Sequence, residues 1–484
     1  SNRTDKDIQA ERIEKTKKEA AIIEDGGLVI SEPYIPSIDV ENGQTHPTPL
    51  VESSAMGSVR LPKLTYCPKL PSYVVENGLL STAQIEVVAY AGQSFKQRLS
   101  TGERQGYFIG DGTGVGKARE IAGVIMDAFA NGHGKGKAVW ISKSKDQLLR
   151  EAQNEWEALG NNPKDIVDQS KNFTARDKGI VFTTYSTLAQ KDDKTLKHTR
   201  IEQLKEWLGE NFDGVIVLDE CHRANNATDT KEKGARGTKR ASDSALAALE
   251  LVKAFPDARV LYASATGATE ARNYALYTRL GLWGKDTQFD NPSVFIEQVQ
   301  NGGEATMEVV ARDIKAMGLY HSRSLAMDGV TYRELIHELT PNEIKMYNRL
   351  AGAWRIVEQN IEKAIALCGG EATTKGKGGV MSKFWGYHQR CFIQIMIALK
   401  VSELIADIRK ELDKGHSVIV QLTSTGDAAT ERALKEMTEN DTYDDIDITP
   451  RDALIRFLDV CFPVYEVEEI EEENSRSEEH TSEL

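Results

Sequence analysis

Nothing in these 484 residues reads as a membrane span, because no apolar run approaches the roughly 20 residues a helix needs to cross a bilayer. The opening SNRTDKDIQAERIEK is polar and charged, so no secretory signal is visible. Cysteine is scarce. The five cysteines (Cys67, Cys221, Cys368, Cys391 and Cys461) form no CxxC pair, which argues against a disulfide framework or a zinc site and for free thiols in a reducing compartment. A basic coat is also missing, since the formal net charge is −14. From Glu466 onward there are nine Glu and one Arg, which leaves about −6 for the rest of the chain. A protein that tracks a phosphate backbone needs only a local basic groove, so the global sign does not exclude one.

Short apolar runs alternate with longer amphipathic ones over residues 62–284. YFIG (107–110), AVWIS (138–142), GIVFTTY (179–185), GVIVLDE (214–220) and ARVLYASAT (258–266) predict buried strands near turn signals. Residues 118–130 and 145–159 predict helices between them. That alternation predicts an α/β fold with a parallel sheet covered on both faces. Residues 1–61, partly charged and partly Pro-rich, read as an arm or linker. Residues 285–368 read as a mostly helical bridge, and 369–383 as a Gly/Lys-rich mobile loop. A long helix (392–413) and a buried strand, SVIVQLT (417–423), read as the start of a second α/β domain within 369–475.

GDGTGVGKA, residues 110–118, follows a predicted strand and opens a predicted helix. In that context backbone N–H groups and a helix N-terminus can cradle phosphates. The candidate nucleotide-binding residues are Asp111, Gly112, Thr113, Gly114, Val115, Gly116, Lys117 and Ala118, with Lys117 reaching the β- and γ-phosphates of ATP. Two residues depart from the GxxxxGK[ST] pattern. Asp111 replaces a glycine, and Ala118 lacks the hydroxyl that ordinarily ligates Mg²⁺; Thr113 or Asp219 could compensate. Gln84, in LSTAQ, could present its amide to an adenine edge or lie on a solvated helix surface.

About 100 residues after the loop, VIVLDECH ends an apolar strand with two carboxylates. Asp219 is expected to hold Mg²⁺, Glu220 to orient or deprotonate the attacking water, and His222 to face a cleft. Ser264 and Thr266 of SAT close the next strand and could couple the acids to nucleic-acid movement.

The motifs DGTGVGK, TTYSTL, DECH and SAT, in this order, resemble motifs I, Ib, II and III of superfamily 2 helicases. GDGTGVGKAREIAG, FDGVIVLDECHRANN, YASATGATEARNYALYTRLGLWG and FWGYHQRCF followed by SVIVQLTSTGDA resemble the strawberry notch family, over roughly residues 70–430. That family commonly lacks the hydroxyl after the loop lysine. The resemblance implies two RecA-like lobes, ATP and Mg²⁺ in the cleft between them, and nucleic acid, DNA foremost, across the top. Animal members are described as nuclear transcriptional regulators, and phage or mobile-element relatives accompany DNA-methylase modules. The absence of long low-complexity regions favours the second setting, in the cytoplasm of a bacterial or phage-infected cell.

Backbone contacts to nucleic acid are expected from Lys143 and Lys145 of KSK, from Thr184 and Ser186 of TTYST, and from the basic loop 223–242. FWGYHQR (384–390) offers aromatics that could stack on bases or pack in a core. The second lobe is expected to be truncated: no Gly-Arg follows Gly426, so the arginine finger is missing and the chain alone is expected to be inactive. RSEEHTSEL (476–484) matches a common sequencing adapter read in frame and is expected to be an artefact. The alternative to a motor is a scaffold that binds nucleotide as a switch without productive translocation.

Overall fold

The computed structural model describes residues 31–171, 173–190, 199–224, 230–231, 238–239, 242–265, 271–285, 287–367, 374–422 and 455. Two compact units divide the chain, one through Val330 and one from Thr331.

The strands in chain order are β1 (Ser31–Pro33), β2 (Leu50–Ser53), β3 (Tyr107–Ile109), β4 (Lys137–Ser142), β5 (Ile166–Asp168), β6 (Gly179–Thr184), β7 (Val215–Asp219), β8 (Thr230–Lys231), β9 (Thr238–Lys239), β10 (Arg259–Ala263), β11 (Tyr320–His321) and β12 (Ser324–Leu325). The longer helices are α1 (Thr82–Ser94), α2 (Lys117–Ala130), α3 (Asp146–Ala158), α4 (Arg200–Leu208), α5 (Asp243–Ala254), α6 (Pro292–Ala316), α7 (Pro341–Leu367) and α8 (Thr374–Asp413).

Seven strands form one sheet in the order β11-β3-β10-β7-β4-β6-β5, and every pairing is parallel. This is the covered parallel sheet that the alternating pattern predicts, and the RecA-like lobe that the resemblance implies. Its strands are apolar on both faces because helices cover both faces, as a parallel sheet requires. Ile109, Trp140, Phe182, Val217 and Leu261 pack on one side with α1, α2 and α3. Phe108, Ile141, Val181, Leu218 and Tyr262 pack on the other with α4, α5 and α6. The five strands expected from sequence over residues 107–266 are all present, each within a few residues of its expected bounds. Two were missed. β5 and β11 have three and two residues, too few to show a period, and they exist because a neighbour supplies their hydrogen bonds.

The edge strand β11 falls beyond the boundary expected near residue 284, so the segment read as a bridge completes the first lobe's sheet. The arm is no free linker from residue 31 onward. β1, β2 and β12 form a second, antiparallel sheet. Tyr34 and Leu50 are buried, and the Tyr34 hydroxyl donates to Glu86 Oε2 at 2.5 Å.

In the unit from Thr331, α7 and α8 share a small core of Trp354, Ile361, Phe384, Cys391 and Ile395. Helix α8 begins at Thr374, within the stretch expected to be a mobile loop. Residues 417–422 of the expected second-lobe strand carry no secondary structure, and Ile419 is 95% exposed; Thr423 lies outside the described residues. An apolar, β-branched run becomes a strand only when a partner edge accepts it, and none does among the described residues.

Candidate nucleotide site

Strand register assembles the site. Ala263 pairs with Ile109 on one side and with Asp219 on the other. Ile141 pairs with Leu218, and Ser142 with Thr184. The glycine-rich loop, the acidic pair, Ser264, Lys143 and Thr184 therefore leave the sheet side by side at its carboxyl edge, where parallel α/β sheets hold their ligands.

The loop runs from Gly110 into α2. Gly114 and Gly116 have φ of 91° and 99°, a region that favours glycine. A Cβ at Gly116 would lie 2.5 Å from Gln84 Nε2, and one at Gly114 would lie 2.7 Å from a Leu325 methyl. Lys117 Nζ turns back on the loop and donates to the Asp111 carbonyl at 2.9 Å. The N–H groups of Thr113, Gly114 and Gly116 have no acceptor among the described residues. Unclaimed donors around a lysine fit a bound phosphate chain.

The first half of the loop serves another purpose. Asp111 is fully buried and accepts from the Arg323 backbone N at 2.8 Å and from Arg323 Nε at 3.0 Å, with a further contact from Nη2. The Gly112 N–H donates to the Arg323 carbonyl at 2.6 Å, and the Gly110 N–H to that of His321 at 2.6 Å. Both Asp111 and Gly112, expected to bind nucleotide, are thus committed to the segment after β11. Arg323 also donates to Glu120 Oε1 at 2.6 Å and to the Ala83 carbonyl at 2.7 Å, and lies 5.1 Å from the Tyr34 ring centre. Two buried carboxylates share this one guanidinium. Burial works to raise both acids, but Arg323 holds Asp111 below its ordinary value, whereas burial and the Asp111 charge hold Glu120 well above it. Of the two acids, Glu120 is the one whose neutral form the surroundings favour. Neither Arg323 nor Glu120 was found from sequence; an arginine 212 residues from its acid leaves no local signal.

Gln84, considered for the adenine edge, braces the loop instead. Its Oε1 accepts from the Ser81 N–H at 3.0 Å in a helix capping box, and its Nε2 donates to the Val115 carbonyl at 2.9 Å. His46 Nε2, from the arm, lies 3.3 Å from the same carbonyl. Val115 is buried with Tyr34, Leu50 and Ala83. The Ala118 methyl packs against the apolar cluster beneath α2, and Thr113 is exposed.

Asp219 closes β7. Its Oδ2 accepts from Ser142 Oγ at 2.8 Å, and desolvation raises its carboxyl to about 6, with the Glu220 charge adding to the rise. Among the described residues no three His, Cys, Asp or Glu side chains cluster as metal ligands. A carboxylate at the end of β7, Asp219 is a residue that could take one position on a Mg²⁺ ion whose other ligands are phosphate and water. Glu220 has a φ of 48°, a left-handed conformation that costs a non-glycine residue on the order of 1–3 kcal/mol. Its Oε2 lies 3.2 Å from His222 Nδ1, and the same nitrogen lies 2.9 Å from Ser264 Oγ. His222 thus joins the acidic motif to the first residue of SAT, while Thr266 lies outside the described residues.

The expected nucleic-acid contacts divide. Lys143 is exposed, with Nζ 3.9 Å from Glu220 Oε1. Lys145 pairs with Asp168 and lies 3.2 Å from Ser170 Oγ. Thr184 caps the helical turn Tyr185–Leu188, accepting from the Thr187 N–H at 3.1 Å, and Ser186 is exposed. Most of the basic loop 223–242 lies outside the described residues. Of FWGYHQR, Phe384 is core while Trp385 is 45% exposed. Among the described residues no helix is long and apolar enough to cross a membrane.

The family profile described as P-loop containing NTP hydrolase pore-1 matches residues 45–349. Strawberry notch homolog 1 of Gallus gallus is 39% identical over 413 residues, covering 83% of this chain and 32% of that protein. The Caenorhabditis elegans strawberry notch homolog is 37% identical over 442 residues, covering 89% and 23%. FORGETTER 1 of Arabidopsis thaliana is 34% identical over 433 residues, covering 88% and 32%. The chain spans about a third or less of the length of these relatives. The Sulfolobus solfataricus SWI2/SNF2 ATPase core in complex with dsDNA aligns over 81% of this chain and 78% of that one, at 16% identity and a TM-score of 0.35, too distant to argue from.

Proposed function

The chain belongs to the P-loop containing NTP hydrolase pore-1 family and is a homologue of the strawberry notch proteins, and on that premise we propose that it is an ATP-driven motor core acting on nucleic acid, DNA foremost. The observation that carries this reading is the shared register of the loop, the acidic pair and Ser264, with His222 spanning the last two. A nucleotide switch needs only the first two. A link from the hydrolytic acid to the next strand's end is what coupling hydrolysis to movement requires.

In this reading Lys117 exchanges the Asp111 carbonyl for β- and γ-phosphate oxygens, and the free N–H groups of Thr113, Gly114 and Gly116 complete the cradle. Asp219 would hold Mg²⁺, which neutralises charge on those oxygens when bound. Glu220 accepts a proton from the attacking water, and its strained backbone together with His222 fixes the carboxylate's direction. Lys143 and Ser186, exposed at the same edge, contact the sugar-phosphate backbone.

The test is phosphate release from ATP, with and without single-stranded and duplex DNA, by a longer version of the protein that carries a complete second lobe, with Glu220→Gln as the control. DNA should raise turnover in the wild type, and Glu220→Gln should bind Mg²⁺-ATP without hydrolysing it. Nucleotide binding with turnover indifferent to both DNA forms would replace the motor by a nucleotide-gated scaffold.

A further inference from the structure

A second cleft, of about 510 Å³, opens at the opposite end of the same sheet. Arg104 precedes β3, Arg259 opens β10 and His133 follows α2, so the cleft lies at the amino ends of the strands, away from the loop and Asp219. Its lining includes four cations, Lys69, Lys96, Arg104 and Arg259, against one acid, Asp127. That acid is already occupied. It accepts from the Tyr66 hydroxyl at 2.6 Å, the Lys69 N–H at 2.7 Å and Asn131 Nδ2 at 3.1 Å.

The cations are only partly engaged. Arg104 uses Nε on the Asp257 carbonyl at 2.7 Å and Nη1 on that of Phe95 at 2.5 Å. Arg259 uses Nη1 on Asp213. Among the described residues nothing accepts from Arg104 Nη2, or from Arg259 Nε and Nη2. Lys96 Nζ faces only the Tyr66 ring, at 4.6 Å. Burial first, and then a neighbouring arginine (Arg98 for Arg104, Arg104 for Arg259), lowers the pKa of both guanidinium groups. Anchored guanidinium groups with a free edge match the oxygens of a phosphate, and the volume falls in the range of small-molecule pockets. Phe95, Val124 and Ala128 add apolar surface to the lining.

We propose that this cleft is a binding site, separate from the nucleotide site, for a small phosphate monoester with an apolar or aromatic body. The exposed thiol Cys67 lines the cleft, while Cys221 and Cys391 are buried, so Cys67 reports on occupancy. The experiment uses the full chain carrying Lys117→Ala, which silences the phosphate loop, and follows alkylation of the Cys67 peptide by uncharged iodoacetamide using mass spectrometry. AMP should slow alkylation and adenosine should not. Lys96→Ala, an exposed change with no folding cost expected, should raise the AMP concentration needed by about tenfold, the loss of one charge-assisted contact; Arg104→Gln should do the same if it folds. Three outcomes would overturn the proposal: no protection by AMP, equal protection by adenosine, or protection unchanged in Lys96→Ala. Protection by a short oligonucleotide but not by AMP would assign the phosphates to a nucleic-acid backbone and overturn it as well.

Discussion

Arg323→Met withdraws the guanidinium shared by Asp111 and Glu120 while keeping much of the side chain's bulk. Asp111 is fully buried and would keep only the Arg323 backbone N–H among its present Arg323 donors. Removing one partner of a buried ion pair costs about 3–5 kcal/mol, because the remaining charge stays desolvated. Replacing both partners behaves differently. With Asp111→Asn added, the Asp111 charge is gone as well, and burial favours the neutral form of Glu120. The double variant should therefore be more stable than Arg323→Met alone, with a coupling of about 1–3 kcal/mol. Urea unfolding of the four proteins of the cycle measures this, followed through the Trp140 environment next to Asp219. The guanidinium is not what secures the loop if Arg323→Met costs less than about 1 kcal/mol, or if the two single losses add without recovery. Nucleotide affinity should fall in step, because Gly112 and Asp111 hang from the same segment.

Glu120→Gln should make stability less dependent on pH. A glutamate held protonated in the fold adds stability below its ordinary pKa of 4.5 that is lost as pH rises toward the folded value, at up to about 1.4 kcal/mol per pH unit; an unchanged slope in the variant would show that Glu120 is ionised. Lys117→Ala should abolish ATP binding with little loss of thermal stability, since Nζ touches only loop carbonyls; unchanged affinity by calorimetry would remove the loop from the site. Ala118→Thr should lower the Mg²⁺ concentration needed for half-maximal nucleotide binding, and an unaltered titration would show that the missing hydroxyl is no handicap.

The sequence by itself determined what is local. Five strands were legible because each is a short apolar run ended by a turn signal, and the loop was legible because only glycines allow its backbone at Gly114 and Gly116. The acids Asp219 and Glu220 followed from their place at the end of such a strand. The tertiary structure decided everything that depends on a distant partner. β11 is two residues long and exists because β3 offers it an edge. The run at 417–422 has a better strand composition than β11 and is no strand, because no edge among the described residues meets it. Asp111 looked like an altered phosphate ligand and anchors Arg323; Gln84 could be read as an adenine reader or as a solvated helix residue, and it is buried as a brace for Val115. In each case the residue type states which bonds are possible, and only the folded chain states which partner arrives, because hydrogen bonds and ion pairs are satisfied in space and leave no trace in sequence spacing.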